Sequence, residues 1–233
     1  METNPNQFLK DTEDTTNKLI LSVSAIAFDF DFVTSDPSKS RADEIRVLLI
    51  KNNKPTRKSK EGKPGGIGLP TGQLESKEAM LDALKRETRN ESGYPVKTVV
   101  GKLFVVSKPH VNNEIHVFLV ETQDNQEGVR ERDEIDVGFE PWVSLRAAFQ
   151  LPLAQNRDGN GRNPDGMYFS HRQRLFRAIE SMILFPEKLI DGGVIEAWLV
   201  PKHEVLNKAM TDLENAGLLK DFIPQHDDSK IVA

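Results

Sequence analysis

The sequence predicts an α/β fold, a layered sandwich with a mixed sheet and a helical extension at its C-terminal end. Three observations carry this expectation. Short runs rich in β-branched and apolar residues stand both before and after a strongly amphipathic helical segment; turn-forming Gly and Pro residues separate them; and the last third of the chain shifts to helical periodicity. Strands on both sides of a helix, with mixed spacing, fit a sheet covered by helices.

In order along the chain, residues 1 to 18 (METNPNQFLKDTEDTTNK) form a flexible arm, too polar and acidic for a signal peptide. Leu19 to Phe30 and Glu44 to Lys51 read as strands, separated by the turn-forming stretch Thr34 to Ala42. A short strand at Ile67 to Pro70 leads into a helix over residues 77 to 92. Ser76 is placed to cap that helix, Glu78 sets a negative charge in its first turn, and Gly93 stops it. Met80, Leu81, Leu84 and Thr88 recur at three- and four-residue intervals as its core-facing stripe.

Lys97 to Ser107, Glu114 to Glu121 and Phe139 to Val143 read as further strands. Ser170 to Leu184 is an amphipathic helix with Leu175, Phe176, Ile179, Met182 and Ile183 on its apolar face, and Lys202 to Ala216 is a second helix. Phe185 to Val200, between them, is a strand or a hydrophobic packing segment. The expected organisation is a flexible arm over 1–18, a domain over 19–185 and a C-terminal extension over 186–233 packed on that domain. An extension of this size could form a homodimer, cover a site or bind a partner, and the sequence leaves the three open.

Composition excludes several classes. A chain of 233 residues, 37% hydrophobic and 29% charged, suits one globular domain plus extensions. Its net charge of −5 argues against nucleic acid or an anionic membrane as partner. The basic segment KNNKPTRKSKEGK at residues 51 to 63 is simplest as a mobile loop, with attraction of a phosphorylated substrate as the alternative. Without cysteine there are no disulfides, thiolate metal sites or cysteine nucleophiles. No apolar run approaches the roughly 18 residues of a membrane span, so a cytoplasmic protein is expected. The five histidines lack metal-ligand spacing. Asn156, Asp158, Asn160 and Gly161 start like a calcium loop, but Met167 stands where its glutamate belongs, which leaves a turn-rich loop, NRDGNGRNPDG, placed to act as a lid or specificity loop.

The candidate chemistry lies between Gly72 and Tyr94, GQLESKEAMLDALKRETRNESGY. At about 100° per residue, Glu87 and Glu91 lie one turn apart and about 40° apart around the helix, with Asn90 between them. Two carboxylates and an amide oxygen on one side suit a hard cation, Mg²⁺ or Mn²⁺. The plainer alternative is a solvated face with Arg86 and Arg89 as charge partners.

Written as Gly72, five residues, Glu78, seven residues, Arg86-Glu87, then Glu91 and Gly93, the segment resembles the signature of the Nudix hydrolases. It departs at Asn90, where the family carries the first of two adjacent glutamates, and more mildly at Thr88, where an aliphatic residue is usual. The resemblance implies an α/β/α Nudix sandwich and metal-dependent cleavage of a diphosphate linkage. It makes Glu87 and Glu91 metal ligands, Arg86 the residue that orients Glu87, Gly72 the opening glycine and the Thr71 carbonyl a main-chain ligand. Asn90 would ligate through its amide oxygen, with one negative charge fewer and no capacity to act as a base. Glu78 stays open between a catalytic role and a favourable charge at the helix N-terminus.

Sites of this type recruit a further acid from a distant loop. Glu131, Asp133, Glu134 and Asp136 are the candidates, with Glu131 as a ligand and Glu134 as a base, against the alternative of a solvated acidic loop. Pro109, sixteen residues after Gly93, resembles the arrangement in ADP-ribose pyrophosphatases, and a strand-ending turn explains it equally well. Phe28, Phe30, Phe104 and Trp142 could stack a base or serve as core. The isopentenyl diphosphate isomerases, which share the architecture, are excluded by the missing cysteine. The expected substrate is a small-molecule nucleoside diphosphate derivative, ADP-ribose-like. The alternative is a Nudix-fold module that binds or senses a nucleotide with weak or no catalysis.

Overall fold

Residues 20 to 26 carry small or aliphatic side chains on both faces, and such a strand is stable only between two covering layers. The computed structural model places it there. It describes residues 19–36, 38–52, 65–109, 112–124, 135–136, 138–154, 163–184 and 197–222. The arm over 1–18, the basic segment from 53 to 63, Glu131, Asp133, Glu134, the turn-rich loop over 156–162 and most of the 185–200 segment fall outside these residues.

In chain order the elements are β1 (Ile20–Ile26), β2 (Phe28–Asp29), α1 (Arg41–Glu44), β3 (Arg46–Leu48), β4 (Ile50–Lys51), β5 (Ile67–Gly68), β6 (Thr71–Gln73), α2 (Met80–Ser92), β7 (Val96–Lys108), β8 (Asn113–Thr122), β9 (Trp142–Ser144), α3 (Leu145–Gln150), α4 (Phe169–Leu184) and α5 (His203–Asn215). Strand β1 runs antiparallel to β6 and parallel to β8, and β8 pairs antiparallel with β7, which gives the mixed four-stranded sheet β6-β1-β8-β7. Strands β2, β3 and β9 form a second, antiparallel sheet, and β4 pairs with β5.

Alternate residues of β1 separate two cores. Val23 and Ala25 pack with Ala83 and Leu84 of α2 and with Phe118 and Val120 of β8. Ile26 and the β8 residues Ile115, Val117 and Leu119 join Leu175, Ile179 and Met182 of α4 on the other side. The result is helix, sheet, helix: the expected α/β sandwich. Leu206, Ala209 and Leu213 of α5 share the α4-side core. Helix α1 has no side-chain cap from Ser40; instead Asp212 of α5 accepts from Ser40 Oγ at 2.8 Å and from the Arg41 N–H at 2.7 Å. No helix among the described residues is long and apolar enough to cross a membrane.

Several boundaries differ from expectation, each for a local reason. The stretch from Leu19 to Phe30 is two strands, because the chain passes from the first sheet to the second at Ala27. Glu44 closes a helical turn instead of starting a strand, and the strand after it divides at Leu49 between two pairings. Helix α2 starts at Met80. Ser76 does not cap it: Ser76 and Lys77 form a turn with Lys77 at φ 67°, and the N-cap is Ala79, with no side-chain bond. Leu81, expected in the core-facing stripe, is 46% exposed, and Ala83 is buried in its place. The other end matches: Gly93 is left-handed at φ 79°, and its N–H reaches the Arg89 carbonyl at 2.8 Å.

The two leucines of α2 therefore differ in their expected mutational cost. Leu84→Ala, at a site 1% exposed, should lower unfolding stability by about 2–5 kcal/mol in urea titrations, while Leu81→Ala should change it by about 0.5 kcal/mol or less.

Candidate active site

Strand β6 and helix α2 meet where the signature segment folds back on itself. Thr71, Gly72 and Gln73 pair with Ser24, Val23 and Ser22 of β1, so β6 is held at the sheet edge with α2 lying beside it. The Thr71 N–H donates to Glu91 Oε2 at 2.7 Å. One turn earlier, the Glu87 carboxylate lies directly over Gly72: a Cβ on residue 72 would overlap the Glu87 carboxyl carbon and Oε1. Glycine is needed here for close approach, since no side chain fits between strand and carboxylate. Both candidate metal-binding glutamates are thus brought to consecutive residues of one strand.

Arg86 organises the surrounding charge. It forms a paired contact with Glu78, Nε to Oε1 and Nη2 to Oε2, both at 2.8 Å. Its Nη1 donates to Glu87 Oε1 at 2.7 Å and its Nη2 to the Gln73 carbonyl at 3.1 Å. Helix, preceding loop and strand are therefore tied through one guanidinium. Glu78 also accepts the Glu75 N–H at 2.9 Å. It lies before the first turn of α2, and this bend gives it access to Arg86 that an ideal helix starting at residue 77 would deny. Arg86, and then the Glu75 N–H, hold the Glu78 carboxyl down at about 2, and the two acids raise the Arg86 guanidinium above its ordinary value.

Asn90 lies half-buried on the same helix. Among the described residues no group of three His, Cys, Asp or Glu side chains is placed to hold a metal ion. Glu131 and Glu134 lie outside those residues. Asp136, from the same acidic run, is engaged elsewhere: it faces Lys51 Nζ at 3.5 Å and accepts from the Gly138 N–H at 3.0 Å. Of the candidate stacking residues, Phe28 is core and Phe30 packs against it, Trp142 meets Tyr94 edge-on at 5.7 Å, and Phe104 is half-buried on β7.

Two residues on α4 lie across the sheet from α2, His171 against the end of β5 and Arg174 against β6. His171 accepts the Leu69 N–H on Nδ1 at 2.9 Å, and burial, with Arg174 and Lys108 nearby, holds it neutral well below the ordinary imidazole value. Its ring occupies the space that a side chain on residue 68 would need. Arg174 donates from Nη1 to Ser24 Oγ at 2.9 Å and to Thr71 Oγ1 at 3.3 Å. Thr71 Oγ1 gives its proton to the Leu69 carbonyl at 3.0 Å, so Ser24, 2.8 Å away, donates to Thr71. Spacing could have flagged Arg174: it sits four residues before Ala178 and eight before Met182, on the buried stripe of its helix.

A glutamate-bearing helix is thus set by an arginine clamp against a glycine of a mixed-sheet sandwich. The family model of the NUDIX domain matches residues 40–162, just over half the chain, and the chain belongs to the NUDIX family. Similar solved structures include a NUDIX hydrolase from Nitrosomonas europaea (19% identity, TM-score 0.37, 51% of this chain and 56% of that one). Two others are the NUDIX domain of Shewanella oneidensis NrtR in complex with ADP ribose (14%, 0.46, 71% and 89%) and a MutT/nudix family protein from Enterococcus faecalis (17%, 0.46, 88% and 80%). No curated protein matches the sequence.

Gly72→Ala should leave the protein folded but push Glu87 off the strand, with kcat/KM falling about 10²-fold in steady-state assays. Glu78 offers a second test through acid stability. Its carboxyl is lowered from 4.5 to about 2 in the folded protein, so its contribution is complete above the unfolded value and is lost as pH falls from about 4.5 towards 2. The stability gap between wild type and Glu78→Gln, followed by denaturation at stepped pH, should be constant above that window and close within it.

Proposed function

We propose that this protein is a divalent-metal-dependent hydrolase that cleaves the diphosphate linkage of a nucleoside diphosphate derivative, an ADP-ribose-like NDP-X, in the cytoplasm. The observation that carries the reading is the seating of Glu87 over Gly72 and of Glu91 on the Thr71 N–H, with Arg86 fixing Glu87 from outside. Two carboxylates facing one strand, with Asn90 on the same helix, form a hard-oxygen donor set that fits Mg²⁺ or Mn²⁺. Glu87 and Glu91 would hold the ion, assisted by the Asn90 amide oxygen, the Thr71 carbonyl and Glu131. The bound ion would supply neutralisation of diphosphate charge and a lowered pKa for the attacking water.

The residues themselves do the rest. Arg86 keeps Glu87 in one orientation and stays charged throughout the working pH range. Glu78, ionised and committed to Arg86, positions that arginine and is not available to take up a proton near neutrality. The base is assigned to Glu134, because Asn90 cannot accept a proton. ADP-ribose as the model substrate draws on two things: the ligand named for the Shewanella domain and Pro109 after β7.

Asn90 favours one second reading, a module that binds a nucleotide and turns it over weakly or not at all. Assaying ADP-ribose, dinucleoside polyphosphates and nucleoside triphosphates with Mg²⁺ and Mn²⁺ separates the two. Turnover of an NDP-X compound is expected; tight binding without turnover of any compound would establish the second reading. Glu91→Gln should lower kcat about 10²-fold or more, with an unchanged circular dichroism spectrum. An unaltered rate would remove Glu91 from the ligand set.

A further inference from the structure

Among the described residues Arg174 is a cation with no anion. It is 4% exposed, its hydrogen bonds run to two hydroxyls and to the Ser170 carbonyl at 3.2 Å, and among the described residues no carboxylate pairs with it. Burial alone lowers its guanidinium to about 10. A buried charge normally has an ionic partner or a ligand. Among the described residues none of its hydrogen bonds uses Nη2, and the residue lines a cavity of about 460 Å³ between β7 and α4.

Two further cations line the same cavity. Lys108, at the end of β7, is held below its ordinary value by burial and then by Arg174, which places the two positive groups within electrostatic reach of each other. The Arg177 guanidinium stacks 4.7 Å from the Phe104 ring centroid, which fixes its plane and leaves its edge donors free to point away from the ring. Glu180 and Asp221 also line the cavity, but Asp221 acts on Arg172. Cations gathered around a partly desolvated space are an anion receptor, and forked guanidinium donors match the oxygens of phosphate.

We propose that this cavity is a phosphate-binding subsite, built by Arg174, Lys108 and Arg177 and joined to the cleavage strand through the Arg174–Thr71 hydrogen bond. The phosphate comes either from a second phosphoryl group on the substrate, an idea that rests on the proposed hydrolase reading, or from the free ion. Binding itself needs no turnover, so the two proposals fail separately.

The test is calorimetric titration of inorganic phosphate into the full-length protein without divalent metal. Saturable one-to-one binding is expected, weakened about tenfold or more in both Lys108→Gln and Arg177→Gln and retained in Glu91→Gln. Arg174→Gln should abolish it, but that change also strips bonds from Ser24 and Thr71, so the decision rests on the other two variants. A second arm compares hydrolysis of ADP-ribose and ADP-ribose 2′-phosphate. A preference of about tenfold in kcat/KM for the latter, lost in Lys108→Gln, places the phosphate on the substrate. Equal rates with phosphate binding intact identify the free ion as occupant. Absence of saturable binding, or binding indifferent to both Lys108→Gln and Arg177→Gln, overturns the inference.

Discussion

Helix α2 can rest the Glu87 carboxylate on strand β6 only because residue 72 has no side chain. The Glu87 carboxyl group occupies the volume a Cβ would fill, and one turn on, Glu91 reaches the Thr71 N–H. Any larger residue would turn the Glu87 side chain away. Helix and strand come together by burying Ala83 and Leu84 against β1 and β8, so apolar packing supplies the force and the glycine supplies the clearance. The position of the acids follows from those two terms together.

Such an arrangement concentrates negative charge, and Arg86 offsets it. One guanidinium bonds Glu78, Glu87 and the Gln73 carbonyl, which leaves Glu87 oriented by a partner that cannot lose its proton near neutral pH. The opposite face of β6 has the reverse arrangement. There, among the described residues, Arg174 meets only hydroxyls and a carbonyl, and His171 is held neutral. Strand β6 thus separates an acid-rich side from a cation-rich one. A phosphorylated molecule crossing its edge would meet both, through Thr71, whose amide serves the first side and whose hydroxyl serves the second.

The C-terminal helices complete the frame. Helix α4 covers the sheet face opposite α2 and carries Arg174 and His171, and α5 packs into the same core while Asp212 satisfies the N-terminal amides of α1. The N-terminal end of α1 therefore depends on a residue some 170 positions later. Among the described residues of the last part of the chain, Leu199, Leu206, Ala209 and Leu213 share the core of the sandwich.

Much of this was legible in the sequence because it is local. The period of α2, its stop at Gly93, the strands at β1, β7 and β8, and the grouping of Glu87, Asn90 and Glu91 all follow from spacing along a few turns, where backbone geometry alone fixes direction. The start of α2 was not legible: Ser76 is a good cap by type, yet Arg86 draws Glu78 into a turn that displaces the cap. Nor was the exposure of Leu81, since which apolar residue of a stripe is buried depends on where the sheet lies. What the sequence determined by itself was the α/β architecture and the placing of Glu87, Asn90 and Glu91 along one helix. Only the tertiary structure decided which charges are paired and which, among the described residues, meet no anion, because the partners of Arg86 and Arg174 and the groups that bury them come from strands and helices up to 150 residues apart in the chain.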